Sequence, residues 1–305
     1  VYIVYFHNVL DRPLDLLDRR LSRLRVDTFA RQIETLCSRL RPRPLAALVA
    51  ELRAGHDDPE AFAITFDDAY RGVLDHALPV LEAAGATATV FAVTATLARG
   101  WRGLLHFDEL ELAFRHTRRR WLYMPSFSTL PQPMFTPLGR VLVLKRLKRW
   151  LKLLPEAARR RAHQDLLCRL EIDPEALARQ ARDDATYSVL EAAGLERLYQ
   201  AGWSIGAHSH RHHTLSRLDD AELHREVAGA RADLEAALDR RATAFAYPYG
   251  QPEHVGPRVR AAAEAAGYDF AVTTEPGANV PGVNRFALRR CAFHELVAGW
   301  RRASP

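Results

Sequence analysis

Phe62-Ala63-Ile64-Thr65-Phe66-Asp67-Asp68 is an apolar, partly β-branched run that stops abruptly on two carboxylates. Five residues of this make-up read as a buried strand, and the acidic pair marks its carboxyl end. Just downstream, Leu74, Leu78 and Leu81 recur at helical spacing and stop at Gly85, a residue suited to the left-handed C′ position. Thr87–Val93 is β-branched and predicts the next strand. The same rhythm extends both ways. Upstream, Tyr2–Tyr5 predicts a first strand ending at His7-Asn8, and Asp27 reads as an N-cap ahead of Phe29, Ile33, Leu36 and Leu40. Downstream, a helix through Leu195, Leu198 and Tyr199 stops at Gly202, and strand Ser204–Ala207 runs into a histidine-rich loop. A helix from Asp220 to Leu238 then leads to strand Ala244–Ala246 and the turn Tyr247-Pro248-Tyr249-Gly250. A helix through Val259 and Ala263 stops at Gly267, before strand Phe270–Thr273. Repeated strand–helix alternation predicts an α/β fold with a parallel sheet and flanking helices. The polar clusters all follow strand ends, where α/β barrels place their chemistry.

The segment from about 101 to 184 breaks the rhythm with Pro- and Arg-rich stretches and several helical patterns, and reads as an insertion in a single domain spanning 1–305. With 305 residues, 48% of them apolar, the chain can bury a sizeable core. No run of eighteen apolar residues predicts a membrane-spanning helix. Tyr2–Tyr5 lacks a basic leader and a cleavage site, so it does not read as a signal peptide. A chain that starts at Val1 is compatible with a trimmed leader, which leaves localisation open between cytoplasm and cell envelope. Cys37, Cys168 and Cys291 are isolated and read as ordinary buried thiols rather than a disulfide framework. The net charge of +6 favours anionic partners or surfaces.

Asp67 and Asp68 are adjacent, so their side chains diverge, and one can bind a cation while the other moves protons. A helix N-cap beside a solvated Asp is the structural alternative. Gly206-Ala207-His208-Ser209-His210-Arg211-His212-His213 places four of the thirteen histidines within six positions. His208 and His212 are four apart, which brings two imidazoles to one side of a helical turn, while His210 and His213 point elsewhere. Two histidines and one carboxylate form a three-ligand metal set that leaves a position for water, and zinc is the default ion.

The motifs Thr65-Phe66-Asp67-Asp68, His208-Ser209-x-x-His212 and Phe245-Ala246-Tyr247-Pro248-Tyr249-Gly250 resemble those of the polysaccharide deacetylases, the NodB-homology or carbohydrate esterase family 4 enzymes. That resemblance runs from Tyr5 to about Arg290 and implies a distorted (β/α) barrel of about seven strands. It implies that Asp67 is the general base, that Asp68, His208 and His212 hold a divalent metal, and that the Tyr249 N–H donates to the oxyanion. Tyr5-Phe6-His7-Asn8-Val9 is similar to the Y-H-x-V start of a circularly permuted branch, which makes His7 the general acid in preference to His294. Two departures stand out. The third motif has Ala246 where many members carry an Arg that orients the base, a role Arg290 could take over. The first motif has Ala69 where Gly is frequent, a change that matters only if the position needs positive φ.

The implied reaction is N-deacetylation of an acetylated polysaccharide or oligosaccharide. A non-catalytic carbohydrate-binding protein on the same scaffold, an O-acetyl esterase and a small-molecule amide hydrolase are the alternatives. Arg118-Arg119-Arg120-Trp121 and the run Lys145–Lys152 concentrate positive charge beside two tryptophans, with Leu144, Leu147, Leu151 and Leu154 on one helix face. The segment 140–161 is thus a possible contact for anionic polymer or membrane surface, with a solvated helix face as the plainer reading. No specific nucleic-acid partner is expected.

Overall fold

The computed structural model describes residues 1–16, 23–98, 101, 103–181 and 184–303. Arg102, Arg182 and Asp183, near the limits of the middle segment, lie outside the described residues. The strands in chain order are β1 (Tyr2–Phe6), β2 (Asn8–Leu10), β3 (Arg23–Arg25), β4 (Arg41–Pro42), β5 (Ala61–Asp67), β6 (Ala88–Ala92), β7 (Trp121–Leu122), β8 (Gln132–Pro133), β9 (Ser204–Ala207), β10 (Ala244–Ala246) and β11 (Phe270–Val272). The main sheet is parallel in the order β1-β5-β6-β9-β10-β11, with β4 added beside the start of β5. It curls on itself. Leu288 bridges to Val272 on β11 and Cys291 bridges to Val4 on β1, so the segment Leu288–Cys291 spans the gap between the two outer strands. Four backbone bonds hold it there, from Thr273 N to Leu288 O, Leu288 N to Ala271 O, Cys291 N to Ile3 O and Tyr5 N to Cys291 O. The result is a distorted barrel.

Strand alternation sorts the side chains. Ile3, Ala61, Ala63, Phe91, Ala244, Ala246, Phe270, Val272 and Leu288 share one cluster, the barrel interior. The helix Leu45–Arg53 adds Leu45, Leu48, Val49 and Leu52 to it and closes the end where the strands begin. Val4, Phe62, Ile64, Phe66, Val90 and Phe245 face outward onto the surrounding helices. The same parity, carried one step further along each strand, turns Tyr5, Thr65 and Asp67 inward at the carboxyl end, with Thr65 paired to Tyr5 across β1 and β5. Gly206 pairs with Phe91 on this inner face, and a Cβ there would come within 2.6 Å of the Phe91 ring, so only glycine lets β9 pass.

Most predicted elements are present. Strands β9 and β10 begin and end where expected, and Gly85, Gly202 and Gly267 have the positive φ that stops their helices. Asp27 is not an N-cap. The cap is Arg25, two residues earlier, and Asp27 sits in the first turn of helix Val26–Cys37 with its carboxylate taking the Thr28 N–H. Cys168 is exposed and Cys37 half-buried, so only Cys291 fits the buried expectation.

Helices His106–His116, Pro137–Leu153, Glu156–Arg169 and Pro174–Ala181 carry the middle segment. Thr136 caps the longest of them, its hydroxyl accepting the Gly139 N–H, with Pro137 at the first helical position. Leu110, Phe114, Leu144, Leu147, Leu151 and Leu166 belong to a hydrophobic core of the segment's own. An ion cluster ties it to the barrel: Arg23 of β3 reaches Asp108 at 3.1 Å and Glu111 at 2.5 Å, and Tyr70 donates to Asp108 at 2.8 Å. Among the described residues, no helix is long and apolar enough to cross a membrane.

Candidate metal centre and active site

Asp67, Asp68, His208, His212, His7 and Tyr249 all line one cavity of about 330 Å³ at the carboxyl ends of the strands. Asp68 Oδ1 lies 3.8 Å from His208 Nε2 and 3.5 Å from His212 Nε2, and the three ligand atoms fall within 4.8 Å of one another. All three side chains are buried. The histidines do not meet through a helical turn. His208 leaves the end of β9 directly, and the chain then loops back through Ser209 and His212, whose φ values are 61° and 59°. Ser209 steadies the loop by accepting the His212 N–H on its hydroxyl at 2.8 Å. Asp68 and Ala69 are also left-handed, with φ of 69° and 53°. The Gly-to-Ala departure therefore falls on a position that does need positive φ, and Ala69 carries strain of order 1 kcal/mol. Five of the seven non-glycine residues with positive φ among the described residues sit on these site loops, the fifth being Tyr249.

Each imidazole presents a nitrogen to the gap. His208 Nδ1 lies 2.8 Å from the Ala246 carbonyl, which can only accept, so Nδ1 carries the proton and Nε2 offers its lone pair. Ala246, the position where an Arg was missed, thus contributes through its backbone. Burial lowers the pKa of both His208 and His212, which keeps the rings neutral, the form that ligates metal. Asp68 Oδ1 has no hydrogen-bond partner although it is buried, and burial together with the Asp67 charge raises its carboxyl well above the usual range. A buried carboxylate oxygen with two neutral imidazoles and no donor is a set that a divalent cation satisfies.

Asp67 is held differently. Arg290 grips it with two parallel bonds, Nη1 to Oδ1 at 2.7 Å and Nη2 to Oδ2 at 2.8 Å, and is itself fully buried. The guanidinium is fixed in turn by the Thr273 carbonyl and the Thr65 hydroxyl. Burial, the largest single effect, pushes Asp67 up, but the Arg290 charge, His208, the Arg290 bonds and His7 together outweigh it, and the carboxyl lies at about 2. His7 is half-buried and lines the cavity; burial takes it down to about 4 against the opposing pull of Asp67. His294 is exposed on helix Phe293–Ala303 and does not line the cavity. Tyr249 and Gly250 turn the chain with φ of 64° and 65°, and Thr274 accepts that turn by donating from its N to Gly250 O and from its hydroxyl to Tyr249 O. Among the described residues, nothing accepts the Tyr249 N–H. The other two histidines of that loop are paired: His210 faces Asp233 at 2.8 Å, and His213 sits between Glu156 and Glu226.

The middle segment supplies residues that the motifs did not announce. His106 shares a 3.1 Å hydrogen bond with the Tyr249 hydroxyl, and Phe107 packs on the His212 ring at 4.8 Å. Lys148 and Lys152 of helix Pro137–Leu153 also line the cavity, half-buried, with Lys152 Nζ 3.7 Å from the centre of the Tyr249 ring. Their only signal in the sequence is a four-residue interval on the edge of the apolar stripe. Lys145 and Arg149 are exposed on that same helix, and neither Trp121 nor Trp150 lines the cavity.

A family model described as Polysaccharide deacetylase matches residues 54–111 and 178–271, leaving out most of the middle segment. Among solved structures, the deacetylase PplD of Streptococcus pyogenes, in complex with acetate, is similar at 14% identity and a TM-score of 0.61, over 98% of this chain and 96% of that one. IcaB from Ammonifex degensii is similar at 15% identity and a TM-score of 0.58, over 97% and 96%. A polysaccharide deacetylase from Bacillus cereus gives 12% identity and a TM-score of 0.57, over 97% and 67%. No curated protein sequence matches the chain.

Proposed function

As a member of the polysaccharide deacetylase family this chain is a carbohydrate deacetylase, a hydrolase of carbon–nitrogen bonds, and we propose that it removes acetyl groups from N-acetylated sugars in the cavity described above. The reading rests on one observation: Asp68, His208 and His212 converge on a point beside a second carboxylate, Asp67, that Arg290 holds apart from them. Asp68 Oδ1 and the two Nε2 atoms would hold a divalent ion, and a donor set of two imidazoles and one carboxylate favours zinc. Bound there, such an ion makes a water acidic and polarises the acetamide carbonyl.

The chain's own residues do the rest. Asp67 takes the proton of the attacking water. Arg290 contributes orientation rather than basicity, since the same pairing keeps Asp67 ionised down to about pH 2. The Tyr249 N–H donates to the carbonyl oxygen as charge develops on it. An amine leaves poorly without a proton, and His7 supplies it. Because His7 is neutral at rest, that proton arrives during turnover, and Asp67, whose charge raises His7, is its source. The carbon–nitrogen bond then breaks to give acetate and the free amine. The helices of the segment at about 101–184 are an insertion into this single barrel unit, and their exposed basic face between 140 and 161 is a contact for anionic polymer or membrane surface, testable by sedimentation with anionic vesicles.

The test is acetate release from chitooligosaccharides, with O-acetylated sugars in parallel, by protein of measured metal content. N-acetyl substrates are expected to turn over faster than O-acetyl ones, with about one divalent ion per chain. Full activity in Asp68→Ala or His208→Ala would rule out this centre.

A further inference from the structure

The cavity wall contributed by helix Pro137–Leu153 carries positive charge that no carboxylate contacts among the described residues. Lys148 and Lys152 are four residues apart, so their side chains leave the same face of the helix, one turn above the other. Both line the cavity that holds Asp68, His208 and His212. Apart from Asp68, which faces the two imidazoles, the other charged residues of that cavity are paired. Asp67 is paired with Arg290, and Arg159 with Glu156. Asp108 and Glu111 are taken by Arg23, and Glu111 also by Arg115. Among the described residues, Lys148 and Lys152 form no ion pair and no hydrogen bond; their contacts are with the faces of Phe107 and Tyr249. Two ammonium groups, partly desolvated and one turn apart, lack a contacting counter-charge: Glu111, Asp108 and Asp68 act on Lys148, and Glu253 on Lys152, only from beyond ion-pair distance. Burial lowers both, Lys152 to about 8 with the charge of Lys148 adding to the effect. Such an arrangement is stabilised by an anion arriving from outside.

We propose that Lys148 and Lys152 form a subsite for an anionic substituent, a carboxylate or a phosphate, carried by the sugar whose acetamide is hydrolysed. The position of Lys152 sets the distance. Its ammonium lies against the ring of Tyr249, the residue whose N–H faces the reacting carbonyl, so the anion belongs to the same sugar or the one next to it. A cavity of about 330 Å³ has room for one such ring and its substituents. The identity of the ring rests on the deacetylase reading; the charge preference does not.

The test uses the full chain, both metal-loaded and metal-free, and three ligands that share an acetamido group: N-acetylglucosamine, N-acetylglucosamine 1-phosphate and N-acetylmuramic acid. Calorimetric titration is expected to give at least a tenfold tighter Kd for one or both acidic sugars, in the metal-free protein as well, where coordination by phosphate plays no part. Preference for the phosphate alone assigns the subsite to phosphorylated sugars, and preference for the carboxylate alone to acidic sugars. In Lys148→Gln/Lys152→Gln the advantage should shrink to within about twofold, whereas Lys145→Gln on the exposed face should keep it. The double variant should melt no lower than wild type, because it loses two unpaired charges; a purely structural pair of lysines would lower the melting temperature. Equal affinity for neutral and acidic sugars, or a preference that survives loss of both lysines, overturns the subsite. The two readings fail separately. A protein that prefers acidic sugars through these lysines yet never releases acetate keeps the subsite and loses the deacetylase, and one that deacetylates chitooligosaccharides with no acidic preference does the reverse.

Discussion

The barrel rim and the helices of the middle segment both face the cavity, but they treat charge in opposite ways. At the rim Asp67 is committed to Arg290, His208 to the Ala246 carbonyl, and Asp68 with the two imidazoles to a common point. Backbone strain fixes the geometry, with Asp68, Ala69, Ser209, His212 and Tyr249 all at positive φ. On the wall from the middle segment the helix Pro137–Leu153 is regular and unstrained, and its two cavity lysines form no ion pair or hydrogen bond among the described residues. A rim built this way suits one reaction on one functional group, while a wall with uncommitted charge suits choosing which molecule presents that group. The proposed chemistry and the proposed selection thus fall on different segments of the chain.

The sharpest way to break this division is at Asp67. Asp67→Asn keeps the shape of the side chain but loses one of the two acceptors for Arg290 and removes the proton acceptor, and kcat is expected to fall by about 10²–10⁴ with every substrate, neutral or acidic. A change in KM alone would contradict the role. His7→Ala should lower kcat by about a hundredfold, and His294→Ala, exposed and outside the cavity, should leave it unchanged. The opposite ranking would move the acid to the other end of the chain.

Arg290→Ala addresses the architecture under the rim. It leaves the buried Asp67 carboxylate uncompensated, a loss of about 3–5 kcal/mol that denaturant unfolding would register. Arg290→Ala should also restore a carboxyl pKa nearer to or above the usual value. The sign of the pH dependence follows: with Asp67 depressed to about 2 in the folded chain, the pair stabilises above the unfolded value of about 4 and fades as pH falls through 2. A wild-type chain with no stability loss across that window, relative to Arg290→Ala, would show that the pair adds nothing. The smallest effect is at Ala69. Ala69→Gly relieves a left-handed alanine and should raise stability by about 0.5–1 kcal/mol, no more than about 2–4 °C in Tm. A fall in Tm would mean that its buried methyl matters more than its φ.

Much of the rim was legible because its signals are local. The strand ending in Asp67-Asp68, the spacing of His208 and His212 and the Tyr-Pro-Tyr-Gly turn are each contained within eight residues, and each follows a strand of the predicted type. The error there was also local: four residues suggested a helical turn, whereas two left-handed residues perform the reversal. Arg290 was legible as a candidate but not as a partner, since its role depends on the segment Leu288–Cys291 bridging β11 and β1 across the sheet. The wall was hardly legible. In the run Lys145–Lys152 every cation looks alike, and only packing of Leu144, Leu147 and Leu151 into the inserted core turns Lys148 and Lys152 inward while leaving Lys145 and Arg149 in solvent.

By itself the sequence determined the strand–helix alternation, the strand ends that carry polar groups and the donor types for a metal, because these depend on side-chain chemistry and on periods of two and 3.6 residues. Only the tertiary structure decided that Arg290 meets Asp67 across 223 positions, that the barrel closes through a stretch too short to read as a strand, and that a basic helix turns two of its charges toward the cavity. The physical reason is range: hydrogen-bond periodicity acts between neighbours along the chain, whereas pairing of distant charges and the choice of buried helix face are settled by the packing of whole elements.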